Sequence, residues 1–240
     1  MIAVVDYGAG NLRSVARALA AAGATSVEIT ADPARIAAAD RIVLPGVGAF
    51  AQCITALRGA DGIEPALSEA VLGRGVPFLG ICVGMQLLAT QGHEHGVHRG
   101  LGWLPGAVTR LTPDDPALKI PHMGWNAVTA ANASGVADGF AYFVHSYRFD
   151  PDDVDDVRAV SDHGGTFPAI VERGNITGVQ FHPEKSQGYG LRFLQDWLSA
   201  PPPCTGGRRG DGASVPPASS LPAASTLPPT PALAGSGRYI

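Results

Sequence analysis

Clusters of Lys and Arg are missing from this sequence. Binding to nucleic acid or to an anionic membrane relies on such clusters to neutralise phosphate. With 17 basic and 21 acidic residues, a formal net charge of −4 and only 16% charged residues, neither nucleic acid nor membrane is an expected partner. Cysteine is equally scarce. Cys53, Cys82 and Cys204 form an odd, sparse set that suits a reducing compartment better than a disulfide framework. An unbroken apolar run of membrane-spanning length is also lacking: the longest uncharged stretch, Gly75 to His93, is interrupted by Pro77, Gly80, Gly84, Gln86 and Gln91, and reads as a buried strand plus helix. The opening residues, Met1-Ile2-Ala3-Val4-Val5-Asp6, carry no basic region and no small-residue cleavage pattern, so the expected location is the cytoplasm.

What the sequence does have is enough apolar material for one sizeable core. At 240 residues and 45% hydrophobic, a single domain of this size buries roughly three quarters of the surface its unfolded chain exposes. The composition changes near residue 200. Residues 201–240 hold nine of the 20 prolines and six of the 31 glycines, without a period, which predicts a domain over 1–199 and a disordered Pro/Gly/Ala/Ser-rich tail over 200–240.

Within 1–199 the patterning predicts an α/β fold with a mixed sheet. Short apolar runs at Ile2 to Asp6, Val27 to Thr30, Arg41 to Leu44 and Pro77 to Ile81 read as strands, with helical spacing over Leu12 to Ala22 and Ile63 to Leu72. After Gly100 the pattern becomes β-rich: Ala107 to Leu111, Ala141 to Tyr147, Val157 to Ser161, Ala169 to Arg173 and Ile176 to Phe181. A last helix is expected from about Tyr189 to Leu198.

Two motifs carry chemistry. Gly80-Ile81-Cys82-Val83-Gly84 follows an apolar strand and precedes a helical run, the cysteine form of a nucleophile elbow, in which small flanking residues permit a sharp turn that projects the nucleophile. Gly80 and Gly84 would each cost about 0.5 to 1 kcal/mol relative to Ala inside a plain strand or helix, so their presence favours the turn. A cysteine at a helix start lies near the positive end of the macrodipole, which favours its thiolate. The second motif is His182-Pro183-Glu184, directly after the strand-like Ile176 to Phe181. Residues i and i+2 of an extended segment project to one face, so Glu184 can hold the His182 imidazole. Cys82 as nucleophile, His182 as proton carrier and Glu184 as orienter make a triad.

At these residues the chain resembles the class I, triad-type glutamine amidotransferases. The general likeness rests on Gly80 to Gln86 and Gly178 to Glu184. Asp6 to Asn11, Leu44 to Phe50, Ile120 to Asn126 and Tyr142 to Tyr147 resemble, more narrowly, glutaminase subunits that serve histidine biosynthesis. The resemblance covers about residues 1 to 198. It implies a flavodoxin-like three-layer fold with a central mixed, mostly parallel sheet. The implied activity is hydrolysis of L-glutamine to glutamate and ammonia. The ammonia would pass to a (β/α)8-barrel cyclase subunit, in a heterodimer, that makes imidazole glycerol phosphate and an aminoimidazole carboxamide ribonucleotide.

The same resemblance implies residue roles. Oxyanion donors would come from Val83 and the Gly46-Val47-Gly48 loop, which replaces the Gly-Gly-Pro-Gly type loop of many relatives and becomes productive on engaging the partner. Gln86 and Glu94 would hold the substrate's α-carboxylate and α-ammonium region, with His145, Ser146 and Tyr147 lining the pocket. Asn11, Met123, Trp125 and Tyr142 match positions near the docking face; for Trp125, core and interface are both open.

Other patterns carry less. Gly46 to Ala51 satisfies a loose dinucleotide-binding pattern, but it is not on the first strand and follows Pro45. Val97 stands where a second zinc-ligating histidine would follow His93-Glu94, so neither a metal nor another cofactor is expected. Asp150 to Asp156 lacks the glycine and terminal Glu of a calcium loop. Two alternatives to the main reading are the glutaminase subunit of pyridoxal phosphate synthase, against which Pro121 to Asn126 argues, and a noncatalytic subunit of the same fold.

Overall fold

The computed structural model describes residues 1–131 and 134–200; the tail expected beyond the domain lies outside them. The run Ile2–Val5 (β1) is buried at every position, as befits a parallel strand covered on both faces. In chain order there follow α1 (Leu12–Ala21), β2 (Val27–Thr30), α2 (Pro33–Ala37), β3 (Arg41–Gly46), α3 (Phe50–Gly59), α4 (Ile63–Ser68), β4 (Phe78–Cys82) and α5 (Val83–Gln86). The β-rich half contributes β5 (Gln91–Gly92), β6 (His98–Arg99), β7 (Gly106–Arg110), β8 (His122–Ala130), β9 (Gly139–His145), β10 (Tyr147–Pro151), β11 (Val157–Asp162), β12 (Thr166–Arg173) and β13 (Ile176–Val179), before the closing α6 (Gln187–Ser199).

Nine strands form one sheet in the order β2-β1-β3-β4-β13-β12-β11-β8-β9. β2, β1, β3, β4 and β13 are mutually parallel, and the remaining four continue antiparallel. The crossover carrying α1 runs one way from β1 to β2, and those carrying α2, α3 and α4 run the other way, through β3 to β4. With right-handed crossovers this puts α1 on one face and α2 to α4 on the opposite one. α6 packs beside α1, completing three layers. β10, β7, β5 and β6 make a small second sheet. Among the described residues no helix is long and apolar enough to cross a membrane.

The structure departs from the sequence reading in four places. α3 is a full helix whose buried Phe50, Cys53, Ile54 and Leu57 have helical spacing, although the sequence reading assigns no helix there. β8 is likewise absent from that reading, and its pattern is inverted: His122 is buried while Met123 and Trp125 are 64% and 49% exposed. The expected strand over Ala141 to Tyr147 is two strands in different sheets, split at Ser146. α5 is only four residues long, so the macrodipole expected behind Cys82 is small; the dipole sums over aligned peptides.

Candidate active site

Cys82 ends β4 with φ 55° and ψ −111°, a positive-φ conformation rarely adopted by a residue with a side chain. The elbow is possible because its neighbours are bare. A Cβ at Gly84 would lie 1.9 Å from the Leu44 carbonyl oxygen, and one at Gly80 would lie 2.6 Å from that of Gly84. The glycines therefore let β3, β4 and α5 close on one another, and the strain is concentrated at the residue that carries the sulfur.

β13 pairs in parallel with β4, so the chain leaving β13 emerges beside Cys82. His182 there is buried and hydrogen-bonded through Nδ1 to Glu184 Oε1 at 2.9 Å, with Glu184 buried as well. Burial alone would lower the imidazole's pKa, but hydrogen bonding and charge from Cys82 and Glu184 overcome it and raise it to about 10. Nε2, the other ring nitrogen, is buried without a well-formed hydrogen bond. The three predicted triad residues are thus brought together, with the His182 imidazole between Cys82 and Glu184. The turn is fixed from outside: Ser186, buried, donates from Oγ to the His182 carbonyl at 2.7 Å and accepts from the Tyr142 N–H at 2.9 Å.

A cavity of about 290 Å³ opens at Cys82 and His182 and is lined by Val47, Gly48, Val83, Gln86, Glu94, His145, Ser146 and Tyr147 among others. All five residues predicted to bind substrate are there, as are three of the four predicted oxyanion residues. Gly46 lies just behind, its virtual Cβ 2.7 Å from the Gly84 nitrogen. As the first residue of α5, Val83 has an N–H with no intrahelical acceptor. Burial pulls His145 down to about 3, so it is a neutral wall of the cavity rather than a cation. Glu94 accepts from the Phe50 N–H at 2.7 Å, which ties it to the loop ahead of α3.

Three contacts around the site have no counterpart in the sequence reading. Tyr7 donates to the Pro45 carbonyl at 2.9 Å, Cys53 donates to the Val47 carbonyl at 3.3 Å, and Gln180, fully buried, donates to Cys82 Sγ at 3.7 Å. Gln180 has a readable signal: it is a polar residue in an apolar strand, two positions before His182 and so on its face. The predicted docking residues lie off the cavity. Met123, Trp125 and Tyr142 share one face of the β8–β9 hairpin, Trp125 opposite Tyr142 with ring centroids 6.2 Å apart, and exposure decides against a core role for Trp125. Phe140, 65% exposed on the same face, belongs with them but carries no sequence motif, and Asn11 stands at the start of α1, which packs on the Pro183–Lys185 turn beside β9.

Comparison with known proteins shows the family and the fold. The sequence model of the glutamine amidotransferase class-I family matches residues 3–199. The chain is 57% identical over 201 residues to imidazole glycerol phosphate synthase subunit HisH of Zymomonas mobilis, covering 82% of this chain and 94% of that one. It is 51% identical over 207 residues to the Caulobacter vibrioides subunit of the same name, covering 82% and 97%. Among solved structures, a glutamine amidotransferase superposes with a TM-score of 0.66 at 19% identity, covering 83% of this chain and all of that one. The glutaminase domain of Trypanosoma brucei CTPS, with bound acivicin, gives 0.55 at 18%, covering 82% and 93%. At such identities these last two speak for the fold alone.

Proposed function

Because the chain belongs to the class-I glutamine amidotransferase family, and within it to the HisH subunits of imidazole glycerol phosphate synthase, we propose that its glutaminase chemistry runs through Cys82, His182 and Glu184. The chain is a glutamine amidotransferase that supplies ammonia for histidine biosynthesis. The observation that carries the triad is the placement of an imidazole, held by a buried carboxylate, next to a sulfur at the carboxyl ends of two adjacent parallel strands.

The raised pKa of His182 lets its imidazole hold the Cys82 proton, so that Cys82 reacts as the thiolate. The thiolate attacks the side-chain carbonyl carbon of glutamine. The oxyanion that forms is met by the Val83 N–H and by a backbone N–H of the Gly46 to Gly48 loop. His182 then gives its proton to the departing ammonia, leaving a thioester. Water attacks the thioester as His182 takes up its proton, and glutamate leaves. Both amide hydrogens of Gln86 are engaged within the protein, so its remaining oxygen faces the substrate's α-ammonium together with the Glu94 carboxylate.

The acceptor is a (β/α)8-barrel cyclase docked as a heterodimer on the face that holds Asn11, Met123, Trp125 and Tyr142, and 1–199 is the working unit. The deciding measurement is glutamate release from glutamine by the full chain, alone and with the cyclase and its nucleotide ligand. Slow release alone and strong activation in the complex are expected. A glutamine-mimicking electrophile should label Cys82 and neither Cys53 nor Cys204; label on either of the latter, or none in the complex, removes Cys82 from its role.

A further inference from the structure

Gln180 has no part in the triad, yet its amide nitrogen donates a hydrogen bond to the nucleophile, at 3.7 Å from Cys82 Sγ. Which end of an amide faces a neighbour is ordinarily open to a flip, because oxygen and nitrogen are nearly interchangeable in shape. Here it is fixed by an acceptor that cannot flip. The Tyr147 carbonyl oxygen takes a hydrogen bond from Gln86 at 2.9 Å, so the Gln86 group facing it is the nitrogen. That same nitrogen lies 3.0 Å from the Gln180 side chain, which must present its oxygen there, since two amide nitrogens would set donor against donor. The nitrogen of Gln180 is left pointing at the sulfur.

The anchor is itself held in one state. His145 Nδ1 lies 2.9 Å from the same carbonyl and must carry the proton, so its Nε2 accepts, and His122 Nδ1 fills it at 3.0 Å. Gln180 and Gln86 are both buried, so neither amide can turn to water without losing bonds it cannot replace.

We propose that Gln180 is a catalytic residue: its amide N–H is a fixed donor to Cys82 that stabilises the thiolate, aligned through Gln86 by the Tyr147 carbonyl. The inference rests on Cys82 being the nucleophile. It also supplies what the four-residue α5 cannot, a permanent partial positive charge at the sulfur that does not titrate. A hydrogen bond to a charged acceptor is stronger than one to a neutral group, so Gln180 favours thiolate over thiol.

The test reads the sulfur directly. The full chain and its Gln180→Met variant, nearly the same in shape but without a donor, are alkylated by iodoacetamide across a pH series, and each cysteine is followed by peptide mass. This reagent is neutral and needs none of the contacts proposed to hold the α-groups of glutamine. In Gln180→Met the Cys82 profile should move up by about one pH unit, a roughly tenfold loss of rate below the midpoint, while Cys53 and Cys204 keep theirs. Gln180→Glu keeps the acceptor for Gln86 but sets oxygen against the sulfur; it should shift the profile at least as far, and it decides the matter if the Met variant does not fold. A Cys82 profile unchanged in the folded variant overturns the proposal and leaves the triad intact. A wild-type Cys82 no more reactive than Cys53 at any pH overturns the triad reading, and this one with it.

Discussion

His182 and the buried pair His122 and His145 are shifted in opposite directions, and the sign of each sets a limb of the stability profile. An unfolded histidine titrates near 6.5. His182 is raised to about 10, so the stabilisation it contributes is fully present below pH ~6.5 and is lost as pH climbs through 10. His122 and His145, which burial lowers to about 4 and about 3, must stay neutral in the fold, so stability falls as pH drops from ~6.5 through those values. The expected profile of thermal midpoint against pH is a maximum near 6 to 7. Glu184→Gln should reduce the alkaline limb, Cys82 remaining as the other group that raises His182, and cut glutamine turnover on the order of 10⁴-fold while the protein still folds. His122→Gln should flatten only the acid limb. An alkaline limb identical in wild type and Glu184→Gln would show that the carboxylate does not hold the imidazole charged.

At the scale of elements, the elbow is a packing problem before it is a catalytic device. β3, β4 and α5 meet so closely that a methyl group at Gly84 would have to displace the backbone of Leu44. Gly84→Ala is therefore expected to cost about 3 kcal/mol or more and to abolish turnover, beyond the ~1 to 3 kcal/mol of ordinary overpacking. Gly59, which ends α3 with open space around it and no positive φ, is the control: Gly59→Ala should be neutral or stabilise by about 0.5 kcal/mol. Denaturant midpoints compare the two, and a tolerated Gly84→Ala would mean the elbow is looser than its geometry. The same elements show how far the sequence could be read. β1, β3 and β4 were legible because a strand buried on both faces is a plain apolar run. The elbow was legible because glycines on both sides of a cysteine weaken a strand or a helix and suit a sharp turn. β8 was not, because its buried residue is His122 and its exposed ones are Met123 and Trp125, reversing the signal that periodicity uses. Gln180 was visible as a letter in a motif, but its role depends on groups from three separate segments meeting, which no local pattern encodes.

For the molecule as a whole, the consequential feature is that the proposed docking face and the catalytic turn share a residue. Tyr142 presents its ring to Trp125 on the outer side of the hairpin, while its backbone is bonded on both sides to the His182 turn: its carbonyl accepts from the His182 N–H at 2.9 Å and its N–H donates to Ser186 Oγ. Lys185, from the same turn, lies with its ammonium 5.6 Å from the centre of the Tyr142 ring. A partner seated on this face therefore presses on the strand from which His182 is hung, one hydrogen bond away. Apolar residues such as Met123, Trp125 and Phe140 stay exposed at a cost in solubility, a cost that a covering chain removes. Trp125→Ala should accordingly weaken association with the cyclase by about 2 kcal/mol, some 30-fold in Kd, since a central aromatic is where interface energy concentrates. Because the ring is half exposed and supports no core, the isolated variant should keep its thermal midpoint and its Cys82 alkylation rate. Binding measured by titration calorimetry against the cyclase decides it: an unchanged Kd would move the interface elsewhere, and a loss of stability in the free chain would make Trp125 a packing residue after all.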